Sequence, residues 1–401
     1  MNRKPLHILY VHRTRGERVE GVHIKGIASA LEKLGHSVSF ISAPGADIRQ
    51  SDKSGYRERL FKKIRNLICD HTPQIVFEFF EIGYNLLLYY KLHKHFKRNK
   101  IDLIYERYAL NTFATTLFAR SKSIPIFHEI NDATGIDRVR KHKAEIIARY
   151  IESKIFKHST ALITISSKFR EIIIQKGIPA YKISVSPNAV DETVFDPVLY
   201  NGNLKNKLKI NEQLVIGFIG SFEKWHGLEI MVNIVPHFLQ NFPDAHFIFI
   251  GNGFALPKVK NDLHGKGLEK KLTFIDHVPH KEIPEYLKIM DVGIIPNSNI
   301  YGSPMKLFEY MSMEVVSVVP DLPPILEIVR DQLNGIVFKR RQSDDLLQKL
   351  LLICQNKALR QKLGRTARKH VLTKHLWKYN ANQIIQLYQE TIESPSESKT
   401  A

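Results

Sequence analysis

Cysteine is nearly absent from this sequence: 401 residues contain two, Cys69 and Cys354. Two thiols build neither a disulfide framework nor a cysteine metal cluster, and such sparing use fits a reducing compartment. Long apolar runs are missing too. No stretch approaches the roughly 20 apolar residues that a membrane-crossing helix requires. The short apolar run at residues 6–11 follows a basic start but is too brief for a signal-peptide core, and reads as a first strand. No Asp-x-Asp triplet occurs, and no His/Cys/Asp cluster has metal-ligand spacing, so no metal and no other cofactor is expected. Acidic residues are the other shortage. Forty Asp and Glu face 59 Lys and Arg, a net charge of +19. Up to Pro197 there are 33 basic and 20 acidic residues, an excess of 13; beyond it 26 and 20, an excess of 6. Any partner drawn to the first half should therefore be anionic, unless that charge is only a solvated surface.

What is present is an ordinary globular balance, 43% hydrophobic and 25% charged, in a chain long enough for two to three domains. Short runs rich in Ile, Val and Phe, at residues 6–12, 37–42, 103–105, 125–128 and 161–165, read as strands buried on both faces. Amphipathic stretches such as 22–34 and 167–176 lie between them, closed by Gly35 and Gly177. The alternation predicts a parallel sheet with right-handed crossovers. It halts in a polar stretch, 191–211, and restarts with strands at 214–219, 246–250, 272–275, 292–296 and 315–319. Helices are expected at 228–242, 281–290 and 305–312. The fold class is thus α/β, with two Rossmann-like parallel-sheet domains facing a central cleft. Expected boundaries are 1–195, a linker at 196–212, a second domain at 213–393 and a disordered tail at 394–401. Ligands of such sheets sit outside the carboxyl ends of the strands.

Residues 301–335 carry the clearest chemistry. Gly302, Ser303 and Pro304 form a tight turn, and a helix should begin at Met305. Free N–H groups at a helix start favour a phosphate, and Lys306 in the first turn adds a full charge. Glu309 lies one turn further on the same face, where its carboxylate could accept from two vicinal hydroxyls, as on a ribose. Taken alone, Lys306 and Glu309 could equally be a surface pair.

The segment reads SPMKLFEYM, and here the chain resembles glycosyltransferase family 4, the retaining GT-B family. Its members carry an E-x7-E motif. The resemblance implies that Glu309, the second glutamate, binds the donor ribose and that Lys306 faces the donor phosphates; Ser303, Pro304, Met305 and Leu307 line the same turn. Tyr301 stands where the family has the first glutamate, and Pro323–Pro324 stand where many members have glycine. The stretch VIGFIGSFEKWHG is similar to the family's phosphate-binding loop, which implies donor contacts from Gly220, Ser221, Lys224 and His226. Lys224 is its one cation at neutral pH unless His226 is protonated. Trp225 reads as core packing. Backbone near His277 and Val278 is implied to meet the base. In the first half, Gly16 and Gly21 fall in a loop implied to approach donor or acceptor. His128, in FHEIND, is implied to hydrogen-bond the transferred sugar, the alternative being a core histidine. SPNAVDETVF resembles the signature that turns the chain towards the hinge.

The activity implied is metal-independent retaining transfer from a nucleotide-sugar to a lipid-linked glycan or a growing polysaccharide, in the cytoplasm, with His128 and Lys306 as the catalytic pair. Inverting transfer or sugar-nucleotide epimerisation on the same fold is the alternative. A basic nucleic-acid-binding protein is the reading from another class; no nucleic acid is expected, because no such motif appears. Residues 77–100 place aromatic and aliphatic side chains ahead of Lys91, Lys94, Lys97, Arg98 and Lys100. That order suits a helix lying on an anionic membrane on the inner face of the cell, or an ordinary helix with a buried face and a solvated basic end.

Overall fold

The computed structural model describes residues 4–14, 19–43, 73–136, 143–210 and 213–393. Gly16, Cys69 and the tail expected at 394–401 lie outside the described residues. By its internal contacts the chain divides into one unit of Met1–Pro187 with Trp377–Ala401 and another of Asn188–Leu376.

The first unit holds strands β1 (His7–His12), β2 (Ser37–Ser42), β3 (Leu103–Arg107), β4 (Ile126–Ile130), β5 (Ala161–Thr164) and β6 (Ile183–Val185). They form one sheet in the order β2-β1-β3-β4-β5-β6, and each neighbouring pair is parallel. Every residue of β4 and β5 is buried. Helices cover both faces of such a sheet, so its strands need apolar residues at successive positions rather than alternate ones. The second unit repeats the plan with β7 (Val215–Ile219), β8 (His246–Ile250), β9 (Leu272–Ile275), β10 (Val292–Ile294), β11 (Val316–Pro320) and β12 (Ile336–Phe338), ordered β12-β11-β10-β7-β8-β9. Strand order reverses between β7 and β10, which places a ligand-binding crevice outside the carboxyl ends of those two strands. Separate apolar clusters fill the two faces of this sheet. The expected α/β architecture is the one observed.

Three expectations change. The described part of the expected linker, 196–210, belongs to the second unit: Phe195 and Ile210 are buried there, Tyr200, Leu204 and Leu208 pack beside them, and Leu204–Leu208 is helical. Isolated apolar side chains in a polar stretch were enough to tie it down. Gly21 lies buried inside the helix Val19–Lys33 rather than in a loop. The final helix, Trp377–Glu393, belongs to the first unit although it follows the second. Asn380 Nδ2 donates to Ser186 Oγ and Pro187 O, each at 2.8 Å, and Gln383 Nε2 donates to Val185 O at 3.0 Å. Close approach is possible because Gly26 has no side chain; a Cβ there would stand 2.5 Å from the Trp377 indole.

The helix Gln74–Phe96 buries Leu88 and Leu92 together with two polar side chains, Glu78 and Asn85. Glu78 accepts from the backbone N–H groups of Lys143 and Ala144, each at 2.8 Å. Asn85 accepts from those of Phe113 and Ala114, at 2.7 and 2.8 Å. Unmet backbone donors are costly in a buried loop, and these two polar side chains satisfy them. The outward face instead carries Phe79, Phe80, Leu86, Leu87 and Tyr90, all exposed.

Candidate active site

Strand β7 ends at Ile219, and the chain turns through Gly220 with φ at +144°. That glycine is required by what lies over it: a Cβ at Gly220 would fall 2.3 Å from Lys306 Nζ. Lys306 comes from the helix Met305–Ser312, whose Met305 and Leu307 are buried in the core and anchor its first turn. Tyr310 of the same helix accepts from the Ile219 N–H at 3.0 Å, fixing helix against strand.

The Lys306 ammonium is enclosed, and no hydrogen-bond partner meets it among the described residues. It lies 4.4 Å from the centroid of the Phe218 ring. Burial lowers its pKa to about 7, with the Glu309 charge working the other way. A buried charge without a partner is unfavourable by several kcal/mol, at least as an order of magnitude, so this arrangement calls for an anion. His226 is the other basic side chain close to Lys306. Burial first, and the Lys306 charge second, push its pKa down to about 3, so the ring is neutral at pH 7 and does not supply the loop's second cation.

The loop after Gly220 is held by Asn297, just beyond β10, whose Nδ2 donates to Trp225 O at 2.9 Å. Arg340 Nε in turn donates to Asn297 Oδ1 at 2.9 Å. Ser221 is half-buried, and Lys224 is exposed with its ammonium 5.2 Å from the Phe254 ring centroid. In the turn before the Lys306 helix, Ser303 Oγ accepts from the Asn188 N–H at 3.0 Å and Ser303 O from Asn188 Nδ2 at 2.5 Å. Pro304 is the residue at the helix N-terminus, and it offers no side-chain hydrogen bond to the N–H groups of the first turn. Glu309 is nearly buried, and its Oε1 meets His280 Nε2 at 2.8 Å. Sequence reasoning named Gly220, Lys306 and Glu309, which converge; it missed His280, Asn188 and Asn297, which hold them. The sequence offered only one hint, the asparagine of SPNAVD.

In the first unit His128 is wholly enclosed. Its Nε2 pairs with Glu106 Oε2 at 3.0 Å, and its Nδ1 with Ser159 Oγ at 2.8 Å. Both ring nitrogens are engaged within the first unit, the placement of the core histidine that the sequence left as the alternative. Its neighbour Glu129 gathers His23 Nε2 at 2.7 Å, the Tyr105 hydroxyl at 2.8 Å and the Arg107 guanidinium. Burial opposes its charge, but His23 and Arg107 outweigh that and hold its pKa well below the usual range. Among the described residues no cluster of three or more His, Cys, Asp or Glu is placed to hold a metal ion.

Two doubly wound parallel sheets, one with an enclosed lysine and a glycine turn at its switch point, define the GT-B class of nucleotide-dependent enzymes. Residues 21–194 match the family described as Glycosyltransferase Family 4, and residues 201–370 match Glycosyl transferases group 1. The chain belongs to this glycosyltransferase family and is a glycosyltransferase. It is 24% identical over 275 residues, 67% of this chain and 70% of the relative, to the Escherichia coli UDP-Gal:alpha-D-GlcNAc-diphosphoundecaprenol alpha-1,3-galactosyltransferase. An uncharacterized glycosyltransferase of Methanocaldococcus jannaschii is 26% identical over 84% of this chain and 87% of its own. Among solved structures, Anabaena HepE in complex with UDP shares the fold at a TM-score of 0.70 and 13% identity, covering 96% of this chain and 100% of its own.

Proposed function

We infer that the chain transfers a sugar, with retention, from a uridine diphosphate sugar to a lipid-linked acceptor of polysaccharide assembly. The observation that carries the donor reading is the enclosed, unpartnered Lys306 ammonium beside Gly220. Its natural counter-charge is the diphosphate, with the free N–H groups of the Lys306 helix adding to it. Glu309 stands one turn further along the same helix, where its carboxylate could accept from ribose hydroxyls, and the half-buried Ser221 lies in the adjoining loop. A UDP-linked relative and a fold neighbour solved with UDP favour uridine as the base.

In this reading the bond between the anomeric carbon and the diphosphate oxygen breaks, and the diphosphate leaves with the electron pair. The acceptor oxygen bonds the same face of the sugar, and its proton passes to the departing diphosphate. Charge on the leaving group is met by Lys306 and the helix start, so no bridging metal is required. The E. coli relative's name gives a diphosphoundecaprenol acceptor, and an Erwinia amylovora relative is named for amylovoran biosynthesis. Such an acceptor lies in a membrane. No described helix is long and apolar enough to cross one. The outward Phe79, Phe80, Leu86, Leu87 and Tyr90 face, in a half of the chain with excess positive charge, is instead suited to lie on an acidic lipid surface.

The test is incubation of the protein with UDP-sugars in excess chelator, following sugar release or transfer and the anomeric configuration of the product. Retained configuration without added metal is expected. Transfer restored only by manganese or magnesium would count against the lysine-based site, and an inverted product would remove retention.

A further inference from the structure

Glu309 is held from a side that the donor reading does not use. His280 begins a short 3-10 turn, His280–Glu282, and its Nε2 reaches Glu309 Oε1 at 2.8 Å. Glu309 Oε2 makes no hydrogen bond among the described residues. The imidazole is braced in turn: the Phe195 ring lies 5.2 Å away, tilted by 53°. Phe195 and Asp191 both come from the PNAVDETVF segment, which therefore reaches the site through His280.

We propose that His280 is a positioning residue of the nucleoside site: it occupies Oε1 of Glu309 and so presents Oε2 as the acceptor for a ribose hydroxyl. The proposal rests on the donor reading above. It also implies a pH response. Burial, the largest influence, disfavours charge on His280, but the Glu309 hydrogen bond and charge, with the Asp191 charge, outweigh it and raise the pKa above 6.5. Among the described residues the charges acting on the ring are Glu309 on the Lys306 helix and Asp191 on the preceding segment; Lys281 and Glu282 follow it on its own turn. An imidazolium must donate from Nε2, whereas a neutral ring can move its proton to Nδ1 and release the carboxylate. Positioning is therefore firmest below the raised pKa and weakens as pH rises through it.

Calorimetry with UMP and UDP across about pH 5.5 to 8.5 tests this on wild type, His280→Ala, His280→Gln and Glu309→Ala. Titration of the phosphate is common to all the proteins and cancels in ratios to wild type, as does that of Lys306 in the two His280 variants; Glu309→Ala removes a charge that acts on Lys306 and is therefore compared with wild type at one pH. His280→Ala should weaken UMP and UDP alike, by roughly threefold to tenfold near pH 6 and by less near pH 8.5. His280→Gln keeps a neutral donor, so it should retain most of the affinity and lose the pH-dependent part. If Glu309→Ala weakens binding while both His280 variants bind as wild type at every pH, the proposal falls and the donor reading stands. A loss larger for UDP than for UMP would also overturn it, because it would place His280 at the phosphates. Wild type that binds neither nucleotide, with normal melting, would overturn both. Should His280→Ala fail to fold, the His280→Gln profile decides alone.

Discussion

Lys306 and Glu309 sit one turn apart on one helix, yet the groups around them differ. Lys306 is enclosed with no partner, while Glu309 already shares one oxygen with His280. Lys306→Ala should therefore weaken UDP strongly and UMP less, and Glu309→Ala should weaken both similarly. A hydrogen bond to a charged group contributes roughly 1.5–3 kcal/mol, so each larger loss should be at least about tenfold in affinity. Unchanged affinities in well-folded variants would remove the donor site. The lysine also marks the ligand-free protein. Its pKa is about 7 against a reference of 10.5, so between those values the unfolded chain holds a proton that the folded chain does not. Stability from this group must then rise with pH across that window. Melting temperature should climb from about pH 7 to about pH 9 more steeply in wild type than in Lys306→Met. His128→Ala, by contrast, strips a donor from the buried Glu106 carboxylate. It should reduce stability by roughly 1–3 kcal/mol in denaturant melts and leave UDP affinity of the folded fraction unchanged.

At the level of single elements, the helix Gln74–Phe96 makes the sharpest demand. If its outward apolar face meets acidic lipid, vesicles containing phosphatidylglycerol should bind the protein in low salt, and Phe80→Glu with Leu86→Glu should abolish that binding. The electrostatic share should fade as the Debye length falls from about 10 Å at 0.1 M salt to about 3 Å at 1 M. Equal binding to neutral vesicles would remove the charge argument, and no binding by wild type would favour a soluble acceptor. The orientation of this helix was not legible in the sequence. The order of apolar residues ahead of cations did not tell which side faces inward, because Glu78 and Asn85 are buried to satisfy backbone donors of distant loops. Strands were far easier to read. Full burial of β7 and β8 enforces nearly continuous apolar runs, whereas β6 and β12 are three residues each, with no longer apolar run around them to mark a strand. The donor helix was legible to the residue, since Pro304 and the apolar spacing of Met305, Leu307 and Phe308 mark its start. His280 was not, as nothing local ties it to a glutamate on another element.

Across the whole chain, the feature least visible in sequence is the return of Trp377–Glu393 to the first unit. Its anchor is Trp377 against Gly26, residues far apart in the chain, and no periodicity within either segment announces the match. His23 adds to that anchor, its ring 5.0 Å from the indole and nearly perpendicular to it. A second mid-helix glycine supplies the control. Gly83 has nothing within 4 Å of the position its Cβ would take. Replacing a helix-interior glycine by alanine favours the helix by about 0.5–1 kcal/mol, so Gly83→Ala should raise the melting temperature slightly. Gly26→Ala gains the same propensity but drives a methyl group to 2.5 Å from the ring. The indole is rigid and its helix is pinned at Asn380 and Gln383, so overpacking of roughly 1–3 kcal/mol should win. Trp377 fluorescence, read in a Trp225→Phe background, should shift in Gly26→Ala and stay unchanged in Gly83→Ala. If Gly26→Ala instead melts as high as Gly83→Ala with an unaltered indole signal, the C-terminal helix is not seated on Gly26, and its assignment to the first unit loses its main contact.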